Sequence, residues 1–195
     1  GSFLLNGVLK NDINATPSSV INVQVAQNNG FSNLGAVDYQ EFDTDYNHII
    51  FYGQSLSMGY DSHIALTTTN VTDTYMIGDR VWISKGNNNA ISLSPLVATT
   101  YLDAVGESPA ISTSNSFKRL FDRFHRRGKQ VKFITTNCGE GGQSVEKLSK
   151  ESTNGTNYYT TEFLLAIDRA KTIVNGLGKT IGCSAIVYMQ GEYNY

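Results

Sequence analysis

His48-Ile49-Ile50-Phe51-Tyr52-Gly53-Gln54-Ser55-Leu56-Ser57-Met58-Gly59 sets four bulky β-formers in a row against a glycine, with a serine two residues later. Such a run, stopped by Gly and followed by small polar residues, reads as a buried parallel strand breaking into a turn at its carboxyl end. Open α/β sheets gather ligands and catalytic side chains at that end. Ser55 is therefore a candidate nucleophile, with Ser57 behind it as a fallback.

Two more apolar runs end in polar motifs. Val131-Lys132-Phe133-Ile134 leads to Asn137-Cys138-Gly139-Glu140-Gly141-Gly142-Gln143-Ser144, and Ala185-Ile186-Val187 leads to Tyr188-Met189-Gln190-Gly191-Glu192. Between the strands, Phe117, Leu120, Phe121 and Phe124 recur at i, i+3, i+4 and i+7, which predicts a helix with one apolar face that stops at Gly128. Arg123, Arg126 and Arg127 fall in its last turns, where cations suit the negative end of the helix dipole. Residues 161–174 predict a second amphipathic helix, closed by Asn175-Gly176. Strand and helix alternating at this spacing imply right-handed crossovers, a parallel sheet and helices on both of its faces, from about residue 46 onward.

Residues 1–45 are rich in Asn, Ser, Asp and Thr and contain one alternating piece, Val20-Ile21-Asn22-Val23-Gln24-Val25, of strand character. They read as a leader, a linker or an edge-strand extension, and residues 46–195 as the main domain. Residues 64–103 are loop-rich, with a hairpin expected around residues 81–89, and would stand over the serine turn.

With 195 residues and 40% hydrophobic content the chain is long enough to bury one sizeable core. Its net charge of −2 lacks the basic footprint that nucleic acid demands, so no nucleic-acid partner is expected. The apolar runs fall far short of the roughly 20 residues of a membrane span, and no membrane association is expected. Cys138 and Cys183 lie near opposite ends of neighbouring strands, too far apart for a disulfide, and two free thiols are expected.

Gly-Gln-Ser, then Gly-Gly-x-Ser, then Gln-Gly-Glu, each at the end of a strand and in this order, resembles the SGNH hydrolases, and within them the sialate O-acetylesterase-like carbohydrate esterases. The resemblance runs from about Ile49 to Glu192. It implies a flavodoxin-like three-layer α/β/α fold and a serine esterase that removes acetyl groups from a carbohydrate, with an extracellular, cell-surface or virion-associated setting. It further implies Ser55 as nucleophile, with an oxyanion hole made by the Ser55 N–H, a backbone N–H of the Gly141-Gly142 turn and the Gln190 carboxamide. Gln54, Gly141 and Glu192 are the expected substrate contacts. Glu192 reads equally as a partner that orients Gln190 or as an exposed strand-end carboxylate.

The physical logic of these residue types holds beside the resemblance. Glycine lets the main chain approach a substrate closely, and a fixed amide donor strengthens its hydrogen bond as negative charge develops. Hydroxyl and amide donors supply this chemistry, so no metal or organic cofactor is expected. The stretch reads G-x-S-x-S, which departs from the G-x-S-x-G elbow of α/β-hydrolases.

The base is where the pattern departs from the family. The resemblance places a catalytic histidine in a D-x-x-H motif after the last strand, and no histidine follows His125. Asp45-Tyr46-Asn47-His48 has the letters of that motif, but seven residues of extended chain put His48 about 23 Å from Ser55. His63 is the nearest candidate in sequence, and His125 reads as a helix-end residue. The expectation is that the chain is the amino-terminal part of a larger esterase, truncated before its base and nearly inactive alone. The competing reading is a degenerate esterase fold that binds glycans or serves a structural role, for instance in a surface or phage-tail assembly.

Overall fold

The computed structural model describes residues 42–62, 64–83, 90–100, 105–124, 130–152 and 155–191. The Val20–Val25 alternation and most of the 1–45 segment lie outside these residues.

The apolar run before Ser55 is strand β1, Tyr46–Gly53, and every one of its eight residues is buried. A short helix α1 (Ser55–Met58) follows, then β2 (Thr74–Ile77), β3 (Leu93–Pro95), helix α2 (Pro109–Phe124), β4 (Lys132–Asn137), a short helix α3 (Val145–Leu148), a π-helical stretch Tyr159–Leu164 running into helix α4 (Leu165–Gly176), and β5 (Ile181–Met189). The five strands lie in the order β3-β2-β4-β1-β5. β1 pairs parallel with both β4 and β5, and β2 pairs parallel with β4. The sheet is thus mostly parallel, with one departure from expectation: β3 runs antiparallel to β2 and extends the edge.

The three long strands stand second-first-third (β4-β1-β5), the arrangement that opens a flavodoxin-like sheet. The chain leaves β1 for β2 and β3 at one edge, returns to β4 beside β1, and then crosses over β1 to reach β5. The direction of winding therefore changes between β1 and β5, the position at which α/β sheets of this kind bind their ligands. Helix α4 packs against Ile50 and Ile134 and helix α2 against Phe133, which points to the other face, giving three layers.

On one face, Phe163, Ala166, Ala170, Ile173 and Val174 pack with Tyr46, Ile50, Tyr52 and Ile134 in a single buried cluster. Each aliphatic side chain fully removed from water here contributes about 1.5–3 kcal/mol. On the other face, Phe117 and Phe121 meet Phe133 edge-on at centroid distances of 5.3 and 5.9 Å.

Helix α2 is turned part-way from the face that its apolar spacing predicts, so that Phe117 and Phe121 reach the sheet from its flank. Ala110, Ile111, Ser114, Asn115 and Lys118 turn inward, while Phe117 is 42% and Leu120 52% exposed. Small residues let the helix approach the sheet, and Asn115 Oδ1 accepts a hydrogen bond from Thr74 Oγ1 at 3.0 Å. Lys118 keeps its ammonium paired with Asp122 one turn on. Of the hairpin expected around residues 81–89, only the first three residues are described. Val81, Trp82 and Ile83 run beside the end of β4, with a parallel bridge from Trp82 to Asn137, and residues 84–89 lie outside the described residues.

Gly53 ends β1 with φ +150°, and a Cβ built there would land on the Met189 carbonyl of β5. Gly53→Ala is expected to cost about 2–4 kcal/mol, combining backbone strain with a forced separation of two strands. Urea unfolding measures this directly, and a variant as stable as the parent would contradict it.

His48, the third residue of β1, is 3% exposed, and its Nε2 lies 2.8 Å from Thr136 Oγ1. Burial pushes its pKa down from 6.5 to about 3, so the folded protein holds a neutral imidazole. Below pH 6.5 the unfolded chain takes up a proton that the folded one refuses. Stability from this residue is therefore complete above that pH and falls as pH is lowered toward 3, by up to about 1.4 kcal/mol per unit. Unfolding free energies across this range should show that slope, and His48→Asn should flatten it.

Candidate active site

The turn after β1 is built from its own backbone. Gln54 N donates to Met189 O at 3.2 Å, the Gln54 carbonyl accepts from Met58 N at 3.1 Å, and the Ser55 carbonyl accepts from Tyr60 N at 3.1 Å. Gly59 closes α1 in the left-handed region (φ +90°), where a Cβ would strike the Glu107 carbonyl. Ser55 is half-buried at the head of this turn, and Leu56 beside it is 55% exposed, so the turn faces solvent. Ser57 is fully buried, and its hydroxyl donates to Gln54 O at 2.7 Å. Its task is to hold the turn. Gln54 is 1% exposed, and its Oε1 finds no hydrogen-bond partner among the described residues.

The segment after β4 runs alongside the end of β1. Cys138 N donates to Phe51 O at 2.8 Å and Glu140 N to Gly53 O at 2.9 Å, which carries the Gly141-Gly142 turn next to the serine turn. At Gly141 a Cβ would stand 3.1 Å from the Tyr60 ring, so the glycine admits that aromatic side chain. Gly142 is exposed, has φ +66°, and faces open space. Cys138 is buried, and burial raises its thiol above the ordinary range, as suits an unreactive filler. Both cysteines are free.

After β5, the half-buried Gln190 donates from Nε2 to the Gln143 carbonyl at 3.0 Å. That bond ties the strand-end glutamine to the Gly141-Gly142-Gln143 turn. Ser55, Gly141, Gly142 and Gln190 thus stand at the carboxyl ends of three neighbouring strands, linked by main-chain and side-chain hydrogen bonds. Gln54 lies beneath them. Glu192 falls outside the described residues.

His48 is the only histidine among the described residues, and it lies at the opposite end of β1, buried and neutral. It does not reach Ser55. His63 and His125 lie outside the described residues. Among the described residues no group of three or more His, Cys, Asp or Glu side chains is gathered to hold a metal ion, and no helix is long and apolar enough to cross a membrane.

Four residues that organise the site carry no motif signal of their own. Trp82 Nε1 donates to Met58 O at 3.0 Å, closing a carbonyl that a four-residue helix leaves open. Ser62 Oγ accepts from Gly106 N and Glu107 N at 3.0 and 2.9 Å. Glu107 in turn binds the loop after the serine turn through Leu66 N and Thr67 N, both at 2.9 Å. Asn137, 1% exposed, donates to Ser57 O and to Ser108 Oγ, and accepts from Gly139 N at 2.9 Å. A polar residue closing an apolar strand is the one feature that marks Asn137 in advance, and the same feature marks Gln190.

No protein-family model and no curated protein matches this chain. Among solved structures, one described as "Crystal structure of NanS" is similar to it at a TM-score of 0.45 and 15% sequence identity, over 78% of this chain. The chain spans 56% of the length of that structure's chain.

Proposed function

We propose that this chain carries the nucleophile and the oxyanion donors of a serine esterase that removes acetyl groups from a carbohydrate. The observation that supports this most is the convergence of Ser55, the Gly141-Gly142 turn and Gln190 at the carboxyl ends of the neighbouring strands β1, β4 and β5, with Gln190 fastened to the turn by its bond to Gln143 O.

In this reading the Ser55 hydroxyl attacks the acetyl carbonyl and forms a tetrahedral oxyanion. Donors from the Ser55 N–H, the exposed Gly142 segment and the Gln190 carboxamide stabilise that charge as it develops. Collapse expels the sugar hydroxyl and leaves an acetyl-serine, which water then cleaves to acetate. The proton of Ser55 goes to a base from outside the described residues, because His48 is buried at the far end of the strand and held neutral. The glycine-lined, solvent-facing turn suits a bulky, hydrophilic leaving group such as a sugar ring.

Hydrolysis of p-nitrophenyl acetate and of an O-acetylated sugar should be measured on the full gene product. Ser55→Ala is expected to lower kcat by three orders of magnitude or more. Gln190→Ala is expected to lower it by about 10²–10³-fold, the usual cost of one oxyanion donor. Turnover that survives Ser55→Ala unchanged would overturn the assignment.

A further inference from the structure

Two turns must hold a fixed relation for this site to work: the serine turn after β1 and the glycine turn after β4. One side chain touches both. The Asn137 carboxamide, at the last position of β4, donates from Nδ2 to Ser57 O in α1 and to Ser108 Oγ at 3.0 Å, just before α2, while its Oδ1 accepts from Gly139 N at 2.9 Å. A carboxamide has two donor hydrogens and an acceptor oxygen, and here all three have a partner. Its backbone is also held, by Asn137 N to Val81 O at 2.8 Å and Ile83 N to Asn137 O at 3.2 Å.

We propose that Asn137 is a positioning residue for Ser55, one that sets the spacing between the serine turn and the glycine turn. The proposal rests on the esterase reading of Ser55 and adds a residue to it. The side chain is buried, so it acts through the two turns and not on substrate. Its partner Ser57 O belongs to a helix too short to satisfy its own carbonyls, so external donors, Asn137 to Ser57 O and Trp82 to Met58 O, hold that helix in place, and of the two only Asn137 also binds the segment leading to the glycine turn. The contact leaves no slack: a Cβ on Gly139 would overlap Ser57 Oγ and crowd Met58 Cγ at 2.8 Å. A displacement of α1 would therefore be passed to Gly139, and from there to Gly141 and Gly142.

Aspartate at this position would keep the acceptor for Gly139 N but turn an oxygen toward Ser57 O, replacing attraction with repulsion. Alanine would leave Ser57 O and Gly139 N without this partner. A misplacement of about 1 Å between reacting groups costs on the order of 10²-fold in rate. The signature of positioning is a loss in kcat that leaves KM nearly unchanged.

The test combines kinetics with hydrogen exchange on Asn137→Ala and Asn137→Asp. In the full gene product both variants should lose roughly 10²-fold in kcat for p-nitrophenyl acetate, with KM within about twofold. In hydrogen exchange, amides of residues 55–60 and 138–143 should lose protection while those of β1 and α4 keep theirs, which also establishes that the variants fold. Unchanged exchange at both turns, or unchanged kcat in a protein that Ser55→Ala inactivates, overturns the proposal. Loss of protection throughout both variants overturns it too, since Asn137 would then be a general prop of the fold. If Ser55→Ala leaves turnover intact, the esterase reading fails and takes the catalytic half of the proposal with it, while the exchange data still decide whether Asn137 couples the turns.

Discussion

The burial of β1 on both faces and both edges is the constraint on which the rest of the structure depends. Its backbone is paired with β4 on one side and β5 on the other, and its side chains are covered by α4 on one face and α2 on the other. A strand so enclosed has no freedom to slide, because a one-residue slip would exchange the two faces. The point where the chain leaves it is therefore held in place. Ser55 inherits that rigidity, two residues beyond a glycine that only β5's close approach explains.

The same enclosure separates two polar residues of β1 by role. His48 sits deep in the sheet, and burial removes its charge throughout the neutral range. Ser55 sits just past the edge of the enclosure, half-exposed, where the backbone turns outward. Sequence proximity to a D-x-x-H pattern counts for nothing against that geometry, since an extended strand carries the two ends far apart.

Polar residues concentrate where the strands end. Asn137, Gln190 and Gln54 terminate β4, β5 and β1, and each is at least half-buried. Burying a carboxamide without partners is costly, so such residues persist where they bind main-chain groups that loops would otherwise leave open. Asn137 and Gln190 both do so, on opposite flanks of the glycine turn. Three strand ends, a four-residue helix and a glycine turn are thereby joined into one unit without a long helix or a disulfide among them.

Much of the fold was legible in residues 46–59 and in the run that ends at Asn137, because buried parallel strands write themselves as unbroken β-former stretches; β5 lies at the sheet edge, with Ile186 and Tyr188 exposed, and shows the same apolar run without being buried. The order of the motifs also marked Ser55, the Gly141-Gly142 turn and Gln190 as neighbours. Local spacing was only a partial guide to helix α2: Phe117 and Phe121 reach Phe133 of the sheet from the helix flank, Leu120 faces outward, and the most buried face carries Ala110, Ile111, Ser114, Asn115 and Lys118, with Asn115 bonded to Thr74. Strand β3 and the bridge of Trp82 to Asn137 were unreadable, because pairing between distant segments leaves no local period. The amino-acid order set which segments are strands and what each ends in. Which of those ends meet, and that Asn137 stands between them, followed only from the crossing of β4 over β1 to β5, a long-range packing choice that no window of sequence contains.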